Sequence, residues 1–278
     1  MISRVIGAAA RTAFVVLVIA MPSLLLPGAT GDVTQIVALL CLFAGALTFF
    51  EYVSTYPGLV EFRDAPPFNR IRFAALFFTV LALTLICKGQ FAPNALTLFV
   101  EAVGAVIAQA TDFEYSPVRL FIQLLPAETN PAHVILVRNA AGIAYLISLI
   151  SLGVFVLASR LKTWPSRNGA FNVWVNLPTF DPTAAGDVVE RLHRDGRINI
   201  AMGFILPFVI PLVMRAGSSL FDPVLLDNPH TLIWTVSAWA LLPASLFMRG
   251  IALGRISEMI RRQRGRTRPA DAASFVPV

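Results

Sequence analysis

Charged side chains are scarce in this sequence. Asp, Glu, Lys and Arg together make up 14% of its 278 residues, whereas hydrophobic residues make up 56%. A soluble domain of this length carries about a quarter charged residues, so the composition excludes an ordinary globular protein and indicates a polytopic protein embedded in a lipid bilayer. The net charge of +6 comes from arginines that lie mainly between the apolar runs. This distribution is typical of membrane topology signals and gives no reason to expect nucleic-acid binding.

Cysteine and histidine are also rare. Cys41 and Cys87 lie within or at the end of apolar runs, which argues against a disulfide scaffold or a thiolate metal site. His133, His193 and His230 are the only histidines, and no apolar run holds two of them for a haem. Phosphate-loop, dinucleotide-binding, nucleophile-elbow and zinc-protease patterns are absent. These absences remove the common enzyme classes, so the sequence predicts no catalytic residues, no metal site and no cofactor.

Six apolar runs are long enough to cross a membrane, since roughly 20 helical residues cover ~30 Å of hydrocarbon. The predicted spans are 12–27, 33–52, 71–88, 134–159, 198–214 and 231–248. The first run resembles a signal peptide, but the second follows at once, so we expect the first to be retained as a span. The expected fold class is all-α, a polytopic helix bundle forming one transmembrane domain over 1–255, with a basic tail over 256–278.

Two further helices, over about 94–125, are predicted not to cross the membrane. In the first of them, polar and small residues share one face opposite an apolar face; the polar stripe consists of Asn94, Thr97, Glu101, Ala105, Ala108 and Asp112. Ser116 and Pro117 begin the second helix, and Pro126 ends it. We expect this amphipathic or re-entrant pair on the outer face of the membrane, with the polar stripe turned to water or to a polar partner surface.

The distribution of basic residues predicts the orientation of the bundle in the membrane. If the 94–125 pair does not cross, 18 basic residues lie inside and four outside; if it does cross, eight lie inside and 14 outside. The positive-inside rule favours the first arrangement. We therefore expect a bacterial inner-membrane protein with both termini and the loops 53–70 and 160–197 in the cytoplasm. The arginine-rich tail would then lie on the anionic inner leaflet.

The second cytoplasmic loop and the fifth span carry their own signals. Residues 171–178 alternate apolar and polar positions, which predicts a short edge strand or extended arm. A helix is expected from Thr183 to Asp195, closed by Gly196. Pro207 and Pro211 then predict a bend within the fifth span.

The loop between the second and third spans is the strongest candidate for recognition. It combines prolines, charges and aromatic residues in a connector that could have been short and nondescript. Together with the second cytoplasmic loop, it is predicted to bind a protein partner. The predicted partner-binding residues are Tyr56, Phe62, Arg63, Asp64, Phe68, Arg70 and Trp174. The alternative is a loop folded against its own spans, with its arginines serving as topology anchors.

Three functions fit these features. The favoured one is a non-enzymatic accessory, assembly or scaffold subunit that contacts other integral membrane subunits. The first alternative is a small-solute or ion transporter using Glu101, Arg138 and the bent fifth span, although a structural ion pair between Glu101 and Arg138 would explain both residues. The second alternative is an outer-face enzyme, built from two histidines and nearby acids; these residues are His133, His230, Glu128, Asp222 and Asp227.

Overall fold

The computed structural model describes residues 2–28, 31–161, 164–165, 171–181, 183–217 and 226–274, with side chains up to residue 265. Within these ranges the chain forms nine helices and no strand. They are α1 (Ile2–Leu25), α2 (Gly31–Val53), α3 (Phe68–Gly89), α4 (Ala95–Thr111), α5 (Pro117–Ile122), α6 (Pro131–Leu161), α7 (Val173–Asn176), α8 (Val188–Gly217) and α9 (Pro229–Ser274). The prediction of an all-helical fold is confirmed.

Six of these helices, α1, α2, α3, α6, α8 and α9, are long and apolar enough to cross a membrane. Each predicted span overlaps one of them. With 17 residues, α4 is about 25 Å long and slightly short of the ~30 Å of hydrocarbon that a span must cover. The architecture is that of a multi-pass membrane helix bundle.

The helix ends gather at two ends of the bundle. At one end, the Arg11 guanidinium lies 4.7 Å from the ring centroid of Tyr52, which brings the start of α1 to the end of α2. At the same end, Arg249 of α9 binds Glu61 in the loop between α2 and α3. We call this the cap end, and it is the end that the arginine distribution predicts to be cytoplasmic.

At the opposite end, Gln90, Asn130 and Asp227 line one cavity of about 290 Å³. The chain therefore leaves α3 and enters α6 at the same end of the bundle. The two intervening helices do not carry it across, as the count of basic residues predicted. That this end faces outward stays a prediction.

The helix α4 turns Thr97 and Ala108 of its polar and small stripe toward the bundle, whereas water or a polar partner surface was expected. Thr97 and Ala108 are fully buried, and the Cα of Ala108 lies 2.9 Å from where a Cβ on Gly142 of α6 would stand. The apolar side chains of Phe99 and Val106 are exposed instead. The expectation of water was wrong for these two residues because a helix in a bilayer meets lipid on its outer side, so its small residues form the contact with neighbouring helices.

The helices α8 and α9 pack antiparallel in backbone contact. A Cβ on Gly203 would stand 2.7 Å from the Phe247 nitrogen, and one on Gly250 would stand 2.6 Å from the Gly196 oxygen. No side chain fits at either position. Gly196 was predicted to end a helix, but α8 runs through it from Val188. This glycine provides close helix contact, not a C-cap.

A side chain from α9 binds the backbone carbonyl that Pro211 leaves free in α8. Pro211 has no N–H, so the carbonyl of Pro207 loses its normal helical partner. The Trp239 indole N–H donates to that carbonyl at 3.0 Å and satisfies it. Trp239 is itself packed between Phe121 and Tyr145 in the core, at centroid distances of 4.6 and 5.9 Å. Both prolines lie within the continuous helix α8, and this hydrogen bond joins their segment to α9. The bend and the hinge of the transporter alternative stay predictions.

The predicted extended arm over 171–178 contains a single helical turn, α7. The Asn176 side chain donates to the carbonyl of Asn172 at 3.0 Å, which closes the turn. The prediction of a strand was wrong because no neighbouring strand exists in the described ranges to pair with the arm, whereas a polar side chain four residues on can close a helical turn locally.

Candidate functional site

The loop that follows α2 is folded onto the bundle as part of a structured cap. We define the cap as residues 54–67, 164–165 and 171–181. Its centre is Phe62, which is fully buried and lies 4.4 Å from Phe68 and 5.9 Å from Trp164 between ring centroids. Phe155 of α6 completes the cluster, 5.3 Å from Phe68 and 5.5 Å from Trp164. Four aromatic rings from three parts of the sequence thus form a separate small core at the cap end.

Hydrogen bonds to backbone groups hold the cap segments together. Asn176 accepts from the Phe62 N–H at 2.7 Å through its backbone carbonyl, and from the Asp64 N–H at 3.0 Å through its side chain. The Trp164 indole N–H donates to the carbonyl of Ala65 at 3.1 Å. These bonds hold Phe62 at a φ of 52°, a left-handed conformation that is unfavourable for a bulky residue.

An ion pair anchors the cap to α9. Arg249 donates from Nε and Nη2 to the two carboxylate oxygens of Glu61, at 2.6 and 2.8 Å. The Thr179 hydroxyl donates to the same carboxylate at 2.8 Å. Bidentate arginine–carboxylate pairs are geometrically specific. Because both side chains are mostly buried, this pair fixes how the cap sits on the bundle.

Arg63 ends α2 from inside the cap. Its side chain is 4% exposed and donates to the carbonyls of Glu51 and Ser54 at 2.9 and 2.7 Å. These carbonyls lie in the last turn of the helix, or just after it, where no helical N–H remains to bind them. The Glu51 carboxylate in turn accepts three backbone N–H groups of the following loop, from Gly58 to Val60. The charged side chains of Arg63 and Glu51 therefore bind backbone groups of their own chain.

The predicted partner-binding residues separate into two groups. Phe62, Phe68 and Arg63 are buried and used within the chain, so they offer no apolar area or charge to a partner in this structure. The alternative of a loop folded against its own spans describes these three positions. The remaining four are exposed; they are Tyr56, Asp64, Arg70 and Trp174. A partner role for those four stays a prediction.

Glu101 and Arg138 do not form the ion pair that was expected. Arg138 lies 3.9 Å from a carboxylate oxygen of Asp112, which also accepts a hydrogen bond from Arg119. Asp112 caps the end of α4 beside both arginines, so it takes the position predicted for Glu101. Glu101 itself is half-buried near Gly89, and it has no ion pair among the described residues.

The residues of the enzyme alternative are only partly brought together. His133 lies 3.3 Å from the carboxylate of Asp227, whereas no hydrogen bond or ion pair joins it to His230 in the described part of the chain. Glu128 is exposed, and Asp222 lies outside the described residues. No group of three or more His, Cys, Asp or Glu side chains with metal-binding geometry occurs among the residues that the structure describes.

Comparisons of the chain with protein-family models, with curated proteins and with solved structures found no match.

Sequence reasoning missed the residues that build the cap. Glu61, Trp164, Asn176 and Arg249 each form a contact across about 100 or more positions of sequence. Glu61 lies in a charged loop, but its partner Arg249 lies in a basic stretch with many other arginines, so the sequence does not single it out. For Trp164 and Asn176, the only local signal was an aromatic ring or an amide side chain within a polar loop.

Proposed function

We propose that the protein is a non-enzymatic accessory, assembly or scaffold subunit of a larger bacterial inner-membrane complex, and that the exposed side of the cap binds a neighbouring subunit. The observation that carries the proposal is the contrast within the cap. Its inner side is fixed by an aromatic cluster, an ion pair and backbone hydrogen bonds, whereas its outer side carries large apolar side chains that stay exposed against the described residues. Tyr56, Leu59 and Trp174 are 68%, 63% and 56% exposed.

Rigidity favours binding at such a surface. A loop that is already ordered loses little conformational entropy when a partner docks, so more of the contact energy appears as affinity. Tyrosine and tryptophan are the residues most often found at the energetic centre of interfaces. Asp64, whose side chain is 60% exposed beside the buried Arg63, supplies a charge that would fix the register of a partner.

The position of α2 agrees with a subunit role. This apolar helix packs along α1 and has a single buried residue, Gly45, among those described. Its other faces carry exposed side chains such as Leu42 and Phe43. These faces meet lipid in an isolated bundle, and they leave room for a neighbouring transmembrane helix in a complex.

Site-specific photo-crosslinking in cells tests the proposal. A photoreactive amino acid is placed at Tyr56 or at Trp174, one position per strain. Matched controls carry it at Ile150 of α6 or Leu242 of α9, which are 54% and 59% exposed but lie within the apolar spans. We expect the cap positions to yield one discrete protein adduct and the span positions to yield lipid adducts.

A different pattern of adducts would overturn the proposal. Aromatic residues also gather at membrane interfaces, where they anchor a protein without binding another. If both cap positions react only with lipid, Tyr56 and Trp174 are interfacial anchors and the cap has no partner. If the span positions give the same protein adduct as the cap, the partner surface lies within the membrane.

A further inference from the structure

A second surface lies at the cap end, between α8 and α9. The first turns of α8 and the extension of α9 beyond its apolar part enclose a groove of about 1400 Å³. The two helices are antiparallel here. The Ser257 hydroxyl donates to the carbonyl of Val189 at 3.1 Å, and Gly250 contacts Gly196 about 10 Å further toward the bundle. The groove therefore runs along the helix pair toward the apolar spans.

Most carboxylates in the groove are already neutralised. Asp187 accepts a hydrogen bond from Arg264 at 2.6 Å, and this bond holds the pKa of the Asp187 carboxyl below its usual range. Glu258 binds Arg262 and lies 4.0 Å from Arg255. Glu190 is the remaining acid that lines the groove.

Two arginines lie on one face of α8 where its apolar run begins. Arg194 and Arg197 are three positions apart, so their side chains are neighbours on the helix surface. Arg194 lies 3.6 Å from Asp195 at an exposed position, which is a weak interaction. Arg197 has no carboxylate or hydrogen-bond partner among the described residues. One uncompensated cation and one weakly paired cation thus stand at this boundary.

Arg261 also lines the groove, but it is too distant to share a small anion with Arg197. It follows Gly250 by eleven residues on α9, which is about 16 Å along the helix. Because Gly250 lies beside Gly196, the neighbour of Arg197, Arg261 lies about 16 Å from Arg197 along the helix axis. It contributes to the general positive field and not to the same binding contact.

An apolar cleft continues the groove into the spans. This cleft, of about 350 Å³, is lined by Arg197, Ile200, Ala201, Phe204 and Phe247. Arg197 and Ala201 line both the cleft and the groove, so the two spaces are adjacent. From Arg197 to Phe204 the cleft extends about 10 Å along α8. A basic site therefore opens directly onto an apolar cleft between the two helices.

We infer that one anionic phospholipid binds here, with its phosphate on Arg194 and Arg197 and an acyl chain along Ala201, Phe204 and Phe247. Charge favours an anion at the boundary, and the cleft favours a hydrocarbon chain attached to it. A soluble phosphate compound would use only the first of these features. The inference sharpens the prediction that the arginine-rich tail rests on anionic lipid, because it places a defined site on α8, ahead of the tail.

Native mass spectrometry of the full chain in mild detergent tests the site. The probes are dioleoyl phosphatidylglycerol and dioleoyl phosphatidylcholine, which share acyl chains and differ in headgroup charge. We expect one phosphatidylglycerol to bind more tightly than the rest and more tightly than phosphatidylcholine. Changing Arg194→Gln and Arg197→Gln together should weaken it roughly 10- to 30-fold. Ala201→Trp, which fills the junction without changing charge, should weaken it as well.

Matched variants separate this site from general electrostatics. Arg70→Gln with Arg160→Gln removes the same charge from exposed positions at the cap end, and Arg261→Gln removes charge from the far end of the groove. Both should retain the tight phosphatidylglycerol. Equal losses in these variants would overturn the site in favour of a diffuse basic surface. The site would also be overturned if glycerol phosphate bound the wild-type protein as tightly as phosphatidylglycerol does. The same holds if Ala201→Trp kept the wild-type melting temperature and the wild-type affinity for phosphatidylglycerol.

Discussion

The two ends of the bundle are closed in different ways. At the cap end, the closing contacts join residues far apart in sequence, such as Glu61 with Arg249 and Ala65 with Trp164. At the opposite end, most of the helix-capping hydrogen bonds join residues that are close in sequence. Asn94 accepts the N–H of Thr97, whose hydroxyl accepts the N–H of Asn94, at 3.1 and 2.9 Å. Ser116, Asn130 and Asn228 each accept an N–H within the following three residues.

The difference shows which end can present a preorganised surface. A local cap fixes the start of one helix and does not by itself join that helix to a neighbouring element. Contacts between distant segments fix several elements against one another, so the exposed side of the cap keeps one shape. A single substitution at the cap end should therefore disturb more of the molecule than one at the opposite end.

The largest effect is expected for Phe62→Ala. The ring is fully buried among three other aromatic side chains, and truncating a buried phenylalanine costs about 3 to 5 kcal/mol of unfolding free energy. Thermal unfolding in detergent, followed by circular dichroism, should show a clear drop in melting temperature. Tyr56→Ala, an exposed aromatic in the same loop, is the control and should change stability by no more than about 0.5 kcal/mol. Equal melting temperatures for the two variants would contradict the buried cluster.

The ion pair between Glu61 and Arg249 should give the next largest effect. Each single change, Glu61→Gln or Arg249→Gln, is expected to cost about 2 kcal/mol, between the values for exposed and fully buried pairs. The double variant should cost less than the sum, with a coupling of about 1 to 2 kcal/mol. The matching cycle at the opposite end, Asp112→Asn with Arg119→Gln, should give weaker coupling because the Arg119 side chain is 45% exposed. Stronger coupling there would reverse the comparison of the ends.

Between the two ends, Trp239→Phe tests the hydrogen bond from α9 to α8. The change keeps an aromatic ring and removes the only N–H described at the carbonyl of Pro207, so it should cost about 1 to 3 kcal/mol. In a Pro211→Ala background a backbone N–H is restored at position 211 and can bind that carbonyl. The cost of Trp239→Phe should then fall. An unchanged cost would mean that packing, and not the hydrogen bond, explains the effect.

The smallest effect is expected at the opposite end, for Asn94→Ala. This change removes the bond from the Thr97 N–H to the Asn94 side chain, one of the two bonds of a capping box, and should cost about 1 kcal/mol. Hydrogen exchange should show faster exchange in the first turn of α4 and no change in residues 54–67. Faster exchange at the cap as well would show that the two ends are coupled.

The parts of the fold that could be predicted are those with local causes. The six spans follow from the length of the apolar runs. The starts of α5, α6 and α9 follow from Ser116, Asn130 and Asn228, each of which is followed by proline. The distribution of basic residues also predicted that the end of α3 and the start of α6 lie at the same end of the bundle. Each of these features depends on residues that are adjacent in sequence or on a sum over many residues.

The parts that could not be predicted depend on what surrounds a residue. The stripe on α4 is identical whether it faces water or a helix, and only the bilayer decides that the small residues turn inward. Gly196 has the same sequence signature as a C-cap, but its role depends on Gly250, 54 positions later. Phe62 was expected on the surface because its loop is polar. Its burial depends on Trp164 and Phe155, which are distant in sequence and pack in the same cluster in the fold.

Co-purification of membrane subunits with cap variants tests the central claim most directly. The claim is that the inner side of the cap supplies the structure and the outer side binds the partner. Tyr56→Ala with Trp174→Ala should keep the wild-type melting temperature and lose about 2 kcal/mol of partner binding, which is about 30-fold in affinity. Leu242→Ala, an exposed position within the span of α9, should keep both. Full partner recovery with the cap variant, at unchanged melting temperature, would contradict the account.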